Sequence, residues 1–148
     1  MIDNFEELVK LWFAEDIGDG DHTTLSCIPE TAIGKSQLIV KEDGVLAGVS
    51  VAKDIFRYFD PELKMTIYIQ DGAEVKKGDI AFVVEGKVQS LLQTERLMLN
   101  VMQRMSGVAT RTHEYVKMLE GTTTHVLDTR KTTPGLRLLE KEAVKIGG

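Results

Sequence analysis

The chain has 148 residues, a formal net charge of -5 and 43% hydrophobic residues, values that suit one globular domain with a packed core. The acidic balance argues against a general nucleic-acid binder, because such proteins carry an excess of cations. We expect no membrane span and no signal peptide, since the sequence has no sufficiently long apolar run and no leader pattern. Cys27 is the only cysteine, which excludes an internal disulfide and a cysteine-based metal cluster and favours the cytoplasm.

Hydrophobic periodicity predicts helices and strands that alternate along the chain. Helices are expected where apolar residues recur every three or four positions, over residues 4–14 (capped by Asn4), 49–59 and 90–119. Strands are expected at short apolar or alternating runs, over residues 37–40, 45–49, 63–69 and 80–84. The first two strands are joined through residues 41–44, a hairpin-type turn. The part before the long third helix is therefore expected to be an α+β layer with a mostly antiparallel sheet.

The acidic stretch Glu15–Thr24 contains two glycines and invites comparison with a calcium-binding loop. The EF-hand spacing is absent, because no glutamate occupies the twelfth position of such a loop. Tight turns at the glycines, with Asp21 or Thr23 capping the local backbone, are therefore the preferred interpretation.

Four features of the long helix over residues 90–119 bear on function. Its methionines are interpreted as core residues. Ser106 and Gly107 interrupt the pattern and suit a kink or a close backbone approach. Arg96 has no carboxylate at helical spacing within this helix, and one interpretation is that it is simply solvated. Arg104 is interpreted as a plain surface or interface charge.

The most informative stretch lies between a β-prone run, Thr124–Leu127, and an apolar pattern of helical spacing over residues 136–146. Thr133 suits the N-cap of that helix, Pro134 its first position and Gly147 its end. The stretch is therefore predicted to be a strand, a loop and a helix.

The predicted loop carries two adjacent cations, Arg130 and Lys131. In α/β folds, ligands bind at the carboxyl ends of strands, where the N–H groups that begin the next helix also attract anions. Arg130 can hold a carboxylate or phosphate through two parallel hydrogen bonds, and Lys131 adds a mobile charge. The loop is either a site for a small polyanion or a basic surface loop. Arg137, which follows it, is interpreted as a surface or interface charge.

Four stretches of the chain carry a resemblance to one enzyme family: Asp128–Arg137 with Glu140 and Lys141, Glu15–Thr24, Asp71–Gly78 and Glu95–Thr110. Together they resemble quinolinate phosphoribosyltransferase, also called nicotinate-nucleotide pyrophosphorylase, in the order of that family along nearly the whole chain. The resemblance implies an amino-terminal α/β sandwich with the long helix at residues 1–112. It also implies the first strand–helix unit of an α/β barrel at residues 113–148, so that the barrel is incomplete in this chain.

The resemblance also implies a glycosyltransferase of NAD biosynthesis. Phosphoribosyl would move from phosphoribosyl pyrophosphate to quinolinate, giving nicotinate mononucleotide, pyrophosphate and carbon dioxide, with Mg2+ as cofactor. The implied quinolinate-binding residues are Thr129, Arg130 and Lys131, joined by Arg96 from the partner in a homodimer or higher homo-oligomer with shared active sites. The family's Mg2+ ligands are not found in this sequence and no catalytic residue is assigned, so we expect the 148 residues alone to be inactive.

Two alternatives remain open at this point. A molybdenum-transport-associated relative has the same fold and a central motif of the same type. A non-catalytic biotinyl- or lipoyl-like domain would account for the turns in Asp71–Asp79. Such a domain carries a modifiable lysine between methionines, a sequence that this chain lacks, and leaves residues 124–148 unexplained.

Overall fold

The computed structural model describes residues 5–148. The helices of this part are α1 (Phe5–Ile17), α2 (His22–Cys27), α3 (Val49–Phe59), α4 (Val88–Met118) and α5 (Arg137–Ile146). The strands are β1 (Ile33–Ile39), β2 (Gly44–Val45), β3 (Lys64–Ile67), β4 (Glu74–Val75) and β5 (Ile80–Lys87). This mixture of helices and antiparallel strands confirms the predicted α+β class. None of the helices in residues 5–148 has the length and hydropathy that crossing a membrane requires.

The central strand of the main sheet is β5, which lies between β1 and β3. Residues 81–84 of β5 are all buried, which explains their continuous apolar run. Both neighbours run antiparallel to β5, and Gln37 and Thr66 lie opposite Val83 from its two sides. The predicted strands at 63–69 and 80–84 and the antiparallel pairing are therefore confirmed, with somewhat different bounds.

The hairpin predicted at residues 41–44 is wrong, because β1 and β2 belong to different sheets and β2 pairs with β4. The backbone of Val40 is bound elsewhere: its N–H donates to Asp79 O at 2.9 Å, and its carbonyl accepts from Gly78 N at 2.9 Å. Since these bonds attach the segment after β1 to a distant turn, the chain does not fold back along β1.

The amino-terminal helix and the acidic stretch after it follow the prediction closely. α1 ends at Ile17 and buries Val9 and Phe13; its predicted cap, Asn4, lies outside the described residues. Asp21 caps α2, where its Oδ1 accepts from Thr24 N at 3.0 Å. The acidic stretch therefore has the structural capping role that its sequence indicates.

The core of the molecule is built around α4, a helix of 31 residues. One side of α4 packs against α1, α3 and α5 through Leu97, Val101, Met105 and Ala109. The other side packs against α3 and β5 through Leu91, Met98 and Met102. The prediction that the methionines are core residues is confirmed for Met98, Met102 and Met105, which are 7%, 3% and 0% exposed.

A close backbone approach is found at Ser106, as one of the two interpretations predicted, whereas the helix continues through Gly107 without interruption. Ser106 Oγ accepts from Ala47 N at 3.0 Å and donates to Ala47 O at 3.1 Å. One helical turn later, Thr110 approaches β2 in the same way, and a Cβ at Gly44 would lie 2.6 Å from Thr110 Oγ1.

The strand predicted at Thr124–Leu127 does not form, and this segment connects α4 to α5 without regular structure. A strand needs a neighbour to satisfy its N–H and C=O groups, and among residues 5–148 no strand pairs with it. Leu127 is accordingly 89% exposed. The predicted strand–helix unit is therefore represented by its helix alone, which ends at the predicted cap, Gly147.

The start of α5 lies at Arg137, three residues after the predicted first position, Pro134. Pro134 and Gly135 form the middle of a turn in which Leu136 N donates to Thr133 O at 3.0 Å. Gly135 has a φ of 79°, a left-handed conformation that a continuing helix does not contain. Thr133 therefore precedes the helix and does not cap it.

Candidate anion-binding site

The predicted residues Thr129, Arg130 and Lys131 lie side by side and exposed in residues 128–136, hereafter the cation loop. Lys131 N donates to Thr129 Oγ1 at 3.0 Å, and Arg130 O accepts a hydrogen bond from α5. These contacts use the backbone of the two cationic residues, and within the described part of the chain neither of their side chains pairs with a carboxylate. The two charges are therefore available to an anion from outside the chain.

Two cations of α5 hold the beginning and the middle of the cation loop. Lys141 Nζ lies 2.5 Å from Asp128 Oδ2, and both side chains are 34% exposed. Arg137 donates from Nε to Thr132 Oγ1 at 3.0 Å and from Nη2 to Arg130 O at 3.1 Å. The exposed guanidinium of Arg137 therefore fixes the backbone that carries the exposed cations, a role that its interpretation as a surface or interface charge does not include.

A buried carboxylate, Glu140, holds the end of the cation loop. Its Oε2 accepts from Thr133 N at 3.1 Å, and its Oε1 accepts from Arg104 at 2.5 Å (Nη2) and 2.9 Å (Nε). Arg104 Nη2 also donates to Thr133 Oγ1 at 3.0 Å. Burial alone would raise the pKa of the Glu140 carboxyl, but the hydrogen bonds from Arg104 and Thr133 outweigh it and lower that pKa. Arg104, whose side chain is 50% exposed, is therefore a link between α4 and the loop, a role that its interpretation as a surface or interface charge does not include.

Arg96 lies on α4, eight residues before Arg104 and hence about 12 Å away along the helix axis. Its Nη1 donates to Asp16 Oδ1 at 2.8 Å, and its side chain is 71% exposed. The hydrogen bond and the charge of Asp16 raise the pKa of the guanidinium. Among the described residues, Arg96 forms no hydrogen bond or ion pair with the cation loop, so the chain does not join it to the other three predicted residues.

A groove of about 960 Å³ lies between β1, the connection to β2 and the side of α4. Its apolar lining includes Leu38, Phe82, Leu91 and Met98. The four predicted site residues, all in the described part of the chain, lie outside this lining. The candidate anion site is therefore the open surface of the cation loop.

The sequence pattern does not identify Arg104 and Glu140 as the residues that hold the cation loop. The position of Glu140 in the sequence nevertheless indicates that it needs a cationic partner. Its spacing from Leu136 and Ala143 places it on the apolar face of α5, where an acid requires a cation as its partner. Arg104 has no acid at helical spacing within α4. An unpaired arginine on one helix and an acid on the apolar face of the next together indicate such a pair.

Two sequence models of one protein family match the chain. The model of the quinolinate phosphoribosyl transferase N-terminal domain matches residues 21–106, and the model of the C-terminal domain matches residues 108–148. The chain belongs to the quinolinate phosphoribosyl transferase family. The second match includes the whole cation loop and α5. The division of the chain at residues 112 and 113 stays a prediction.

Relatives of known sequence and structure agree with this membership. The chain is 45% identical over 142 residues (95% of this chain, 40% of the relative) to quinolinate phosphoribosyltransferase (decarboxylating) 1 of Nicotiana glauca. It is 39% identical over 143 residues (97% and 49%) to "Probable nicotinate-nucleotide pyrophosphorylase (carboxylating)" of Bacillus subtilis. The crystal structure of NadC from Streptococcus pyogenes matches with a TM-score of 0.94 at 38% identity, over 100% of this chain and 53% of that one. The chain thus spans about half the length of the relatives it matches.

Proposed function

We propose that this chain is part of a phosphoribosyltransferase that acts on quinolinate in NAD, and hence pyridine nucleotide, biosynthesis. Phosphoribosyl pyrophosphate would donate the phosphoribosyl group, and the products would be nicotinate mononucleotide, pyrophosphate and carbon dioxide. The family membership and the names of the relatives support this reaction. Because the chain spans about half of those relatives, we expect these residues to bind quinolinate without completing the transfer.

The observation that carries the proposal is the pair of exposed cations in the cation loop, which have no carboxylate partner within residues 5–148 and whose backbone is held before any ligand arrives. Quinolinate has carboxylates on neighbouring ring carbons, so it needs cations at a fixed separation. Arg130 can donate two parallel hydrogen bonds to one carboxylate, and Lys131 can reach the other. The hydroxyl of Thr129 accepts from Lys131 N and can still donate its own hydrogen. Since the loop is already ordered, binding loses little conformational entropy.

We assign Arg96 to the active site of a second subunit in a homodimer or higher homo-oligomer. Asp16 engages its Nη1, which leaves other N–H donors for a ligand carboxylate. Mixed dimers of Arg96→Ala and Arg130→Ala chains would contain one intact site, because each chain supplies what the other lacks. We expect quinolinate binding in the mixture to recover above that of either variant alone. No recovery would count against a shared site.

The reaction that the resemblance implies uses Mg2+, which supplies positive charge to the departing pyrophosphate when bound. Within residues 5–148, no group of three or more histidine, cysteine, aspartate or glutamate side chains is placed to hold a metal ion. The described residues therefore do not fit a magnesium site built by protein side chains, and we give them the role of binding and orienting quinolinate. We propose that the protein ligands of Mg2+ lie in another part of the polypeptide.

The two alternative functions are less well supported. A molybdenum-transport-associated relative would share the cation loop, but the relatives described above are named for quinolinate and nicotinate nucleotide chemistry. A biotinyl- or lipoyl-like domain does not account for residues 108–148, which match a family model. We place the enzyme in the cytoplasm, where the exposed free thiol of Cys27 stays reduced.

Calorimetric titration of the chain with quinolinate tests the proposed function, with nicotinate as the matched ligand that has one carboxylate. We expect quinolinate to bind at least about tenfold more tightly, because its second carboxylate adds charge-assisted hydrogen bonds. Equal affinities for the two ligands, or no binding of quinolinate, would contradict the proposal. Binding of molybdate in place of quinolinate would favour the transport-associated alternative.

A further inference from the structure

The ion pair between Arg104 and Glu140 links the cation loop to the long helix of the core. Arg104 Nη2 donates both to Glu140 Oε1 at 2.5 Å and to Thr133 Oγ1 at 3.0 Å. Glu140 Oε2 in turn accepts from Thr133 N at 3.1 Å. Thr133 is therefore held at its backbone and at its side chain, two residues after Lys131.

Stability does not by itself account for this arrangement. Glu140 is 8% exposed, and its neighbours on α5, Leu139 and Ala143, belong to the apolar core. The carboxylate of Glu140 loses most of its water, whereas the Arg104 side chain is 50% exposed, so the pair contributes little net stability relative to an apolar residue of similar volume at position 140. Apolar contact, however, has no preferred direction. The hydrogen bonds of the pair fix the orientation of Thr133, which apolar packing would leave less defined.

We propose that Arg104 and Glu140 are positioning residues for the binding of quinolinate at the cation loop. They hold Thr133, and through it the backbone of Arg130 and Lys131, in the orientation that receives the two carboxylates of quinolinate. The inference rests on the proposed function, since it names the groups that orient the same site. Loss of the pair should release the loop and leave the core folded.

Hydrogen exchange of backbone amides in the ligand-free chain, followed by NMR, tests the positioning directly. In Arg104→Gln, Glu140 loses its cation, and we expect the Thr133 amide to exchange at least about tenfold faster while the core amides of α4 keep their rates. The matched control is Arg111→Gln on the same helix, which breaks an exposed ion pair with Glu114 and should not affect Thr133. An unchanged Thr133 rate in Arg104→Gln would overturn the inference.

The Kd for quinolinate, measured together with the Tm, separates positioning from a merely structural role. We expect Arg104→Gln to raise the Kd at least about tenfold, and Arg104→Lys, which keeps the charge but loses the forked geometry, to give an intermediate Kd. A lower Tm with the wild-type Kd would show a structural role only and would overturn the inference. If Arg104→Gln does not fold, the same outcomes are read from Arg104→Lys.

The two measurements distinguish this inference from the proposed function. A wild-type chain that does not bind quinolinate contradicts the proposed function, and faster exchange at Thr133 in Arg104→Gln would then still support the positioning of the loop. If the wild-type chain binds quinolinate and Arg104→Gln binds it with the same Kd, the proposed function is supported and the positioning role of Arg104 and Glu140 is contradicted.

Discussion

In the α+β region, residues 5–118, the structure is ordered mainly by apolar burial, whereas in the cation loop it is ordered by hydrogen bonds and ion pairs. Met105 of α4 is fully buried at the centre of the first region. The cation loop is held through Asp128, Thr132 and Thr133, each bound by a side chain of α5. Apolar contact thus builds the scaffold, and directional polar bonds fix the place where two charges are presented.

The two regions also differ in whether their exposed cations have carboxylate partners. Several exposed cations of the α+β region have a carboxylate partner within the chain: Lys35 with Glu85, Lys76 with Asp43 and Lys117 with Glu74. In the described part of the chain, the side chains of Arg130 and Lys131 have no such partner. A ligand with two carboxylates can therefore bind the cation loop without first breaking an ion pair.

The substitution Met105→Ala is expected to have the largest effect on the scaffold. The side chain is fully buried, so its truncation removes apolar contacts and leaves a cavity. We expect the free energy of unfolding, measured by urea denaturation, to fall by about 2–5 kcal/mol. The Kd for quinolinate of the folded variant should match the wild type. A stability loss below about 0.5 kcal/mol, as at a surface position, would show that α4 does not organise the core.

The substitution Arg130→Ala should produce the opposite pattern. We expect quinolinate binding to weaken by about 2–5 kcal/mol, because a carboxylate that is desolvated in the complex loses its charged partner. The stability should change by no more than about 0.5 kcal/mol, since the side chain is exposed and has no carboxylate partner among residues 5–148. Calorimetry and urea denaturation measure the two quantities, with Arg111→Ala as the control. A binding loss below about 0.5 kcal/mol would identify Arg130 as an ordinary solvated charge.

The substitution Glu140→Gln tests the contact between the two regions. Its effect is read from the pH dependence of the free energy of unfolding. The pKa of the Glu140 carboxyl is lowered in the folded protein, so the unfolded chain binds the proton more readily. The stability that this group contributes is present above its unfolded pKa, about 4.3, and is lost as the pH falls through the lower folded pKa.

We therefore expect Glu140→Gln to be less stable than wild type by about 1–3 kcal/mol near neutral pH, because Arg104 and Thr133 lose their charged acceptor. The difference should shrink as the pH falls below about 4. Urea denaturation of both proteins over this range measures it. A stability difference that is the same at every pH would mean that the charge of Glu140 is not what matters.

The smallest effect is expected at an exposed ion pair of the α+β region. Glu74 Oε1 accepts from Lys117 Nζ at 2.7 Å and also lies 3.1 Å from His113 Nε2. We expect Lys117→Ala to lower the free energy of unfolding by less than about 0.5 kcal/mol, since exposed pairs are well solvated. Urea denaturation at low and high salt measures the change. A larger loss would show that surface charge pairs also order this region.

The elements that the sequence predicts well are those whose order depends on a local apolar pattern. α3, β3, β5 and α4 form where their apolar residues recur, because burial of one face is encoded in nearby positions. The hairpin after β1 fails because Val40 bonds to Gly78 and Asp79, a distant turn. The strand at Thr124–Leu127 fails because such a segment needs a neighbouring strand. A local pattern does not reveal either kind of long-range pairing.

The candidate site is also predictable only where it depends on residues that are close in the sequence. Arg130 and Lys131 are adjacent in the sequence, so the pair of charges is visible without the fold. The anchoring role of Arg104 is not visible, because its carboxylate partner lies 36 residues away. The start of α5 is misplaced because Gly135 has a left-handed φ of 79°, so residues 133–136 form a turn before the helix begins.

The central claim is that the cation loop binds quinolinate, and the NMR signal of the Arg130 side chain tests it most directly. The Nε–Hε resonances of the arginines are followed while quinolinate is added, with the Arg130 signal assigned from the Arg130→Lys variant. We predict that the Arg130 resonance shifts to a saturating value, while that of Arg111, paired with Glu114 on α4, stays in place. An Arg130 resonance that does not move, or equal shifts of both, would contradict the claim.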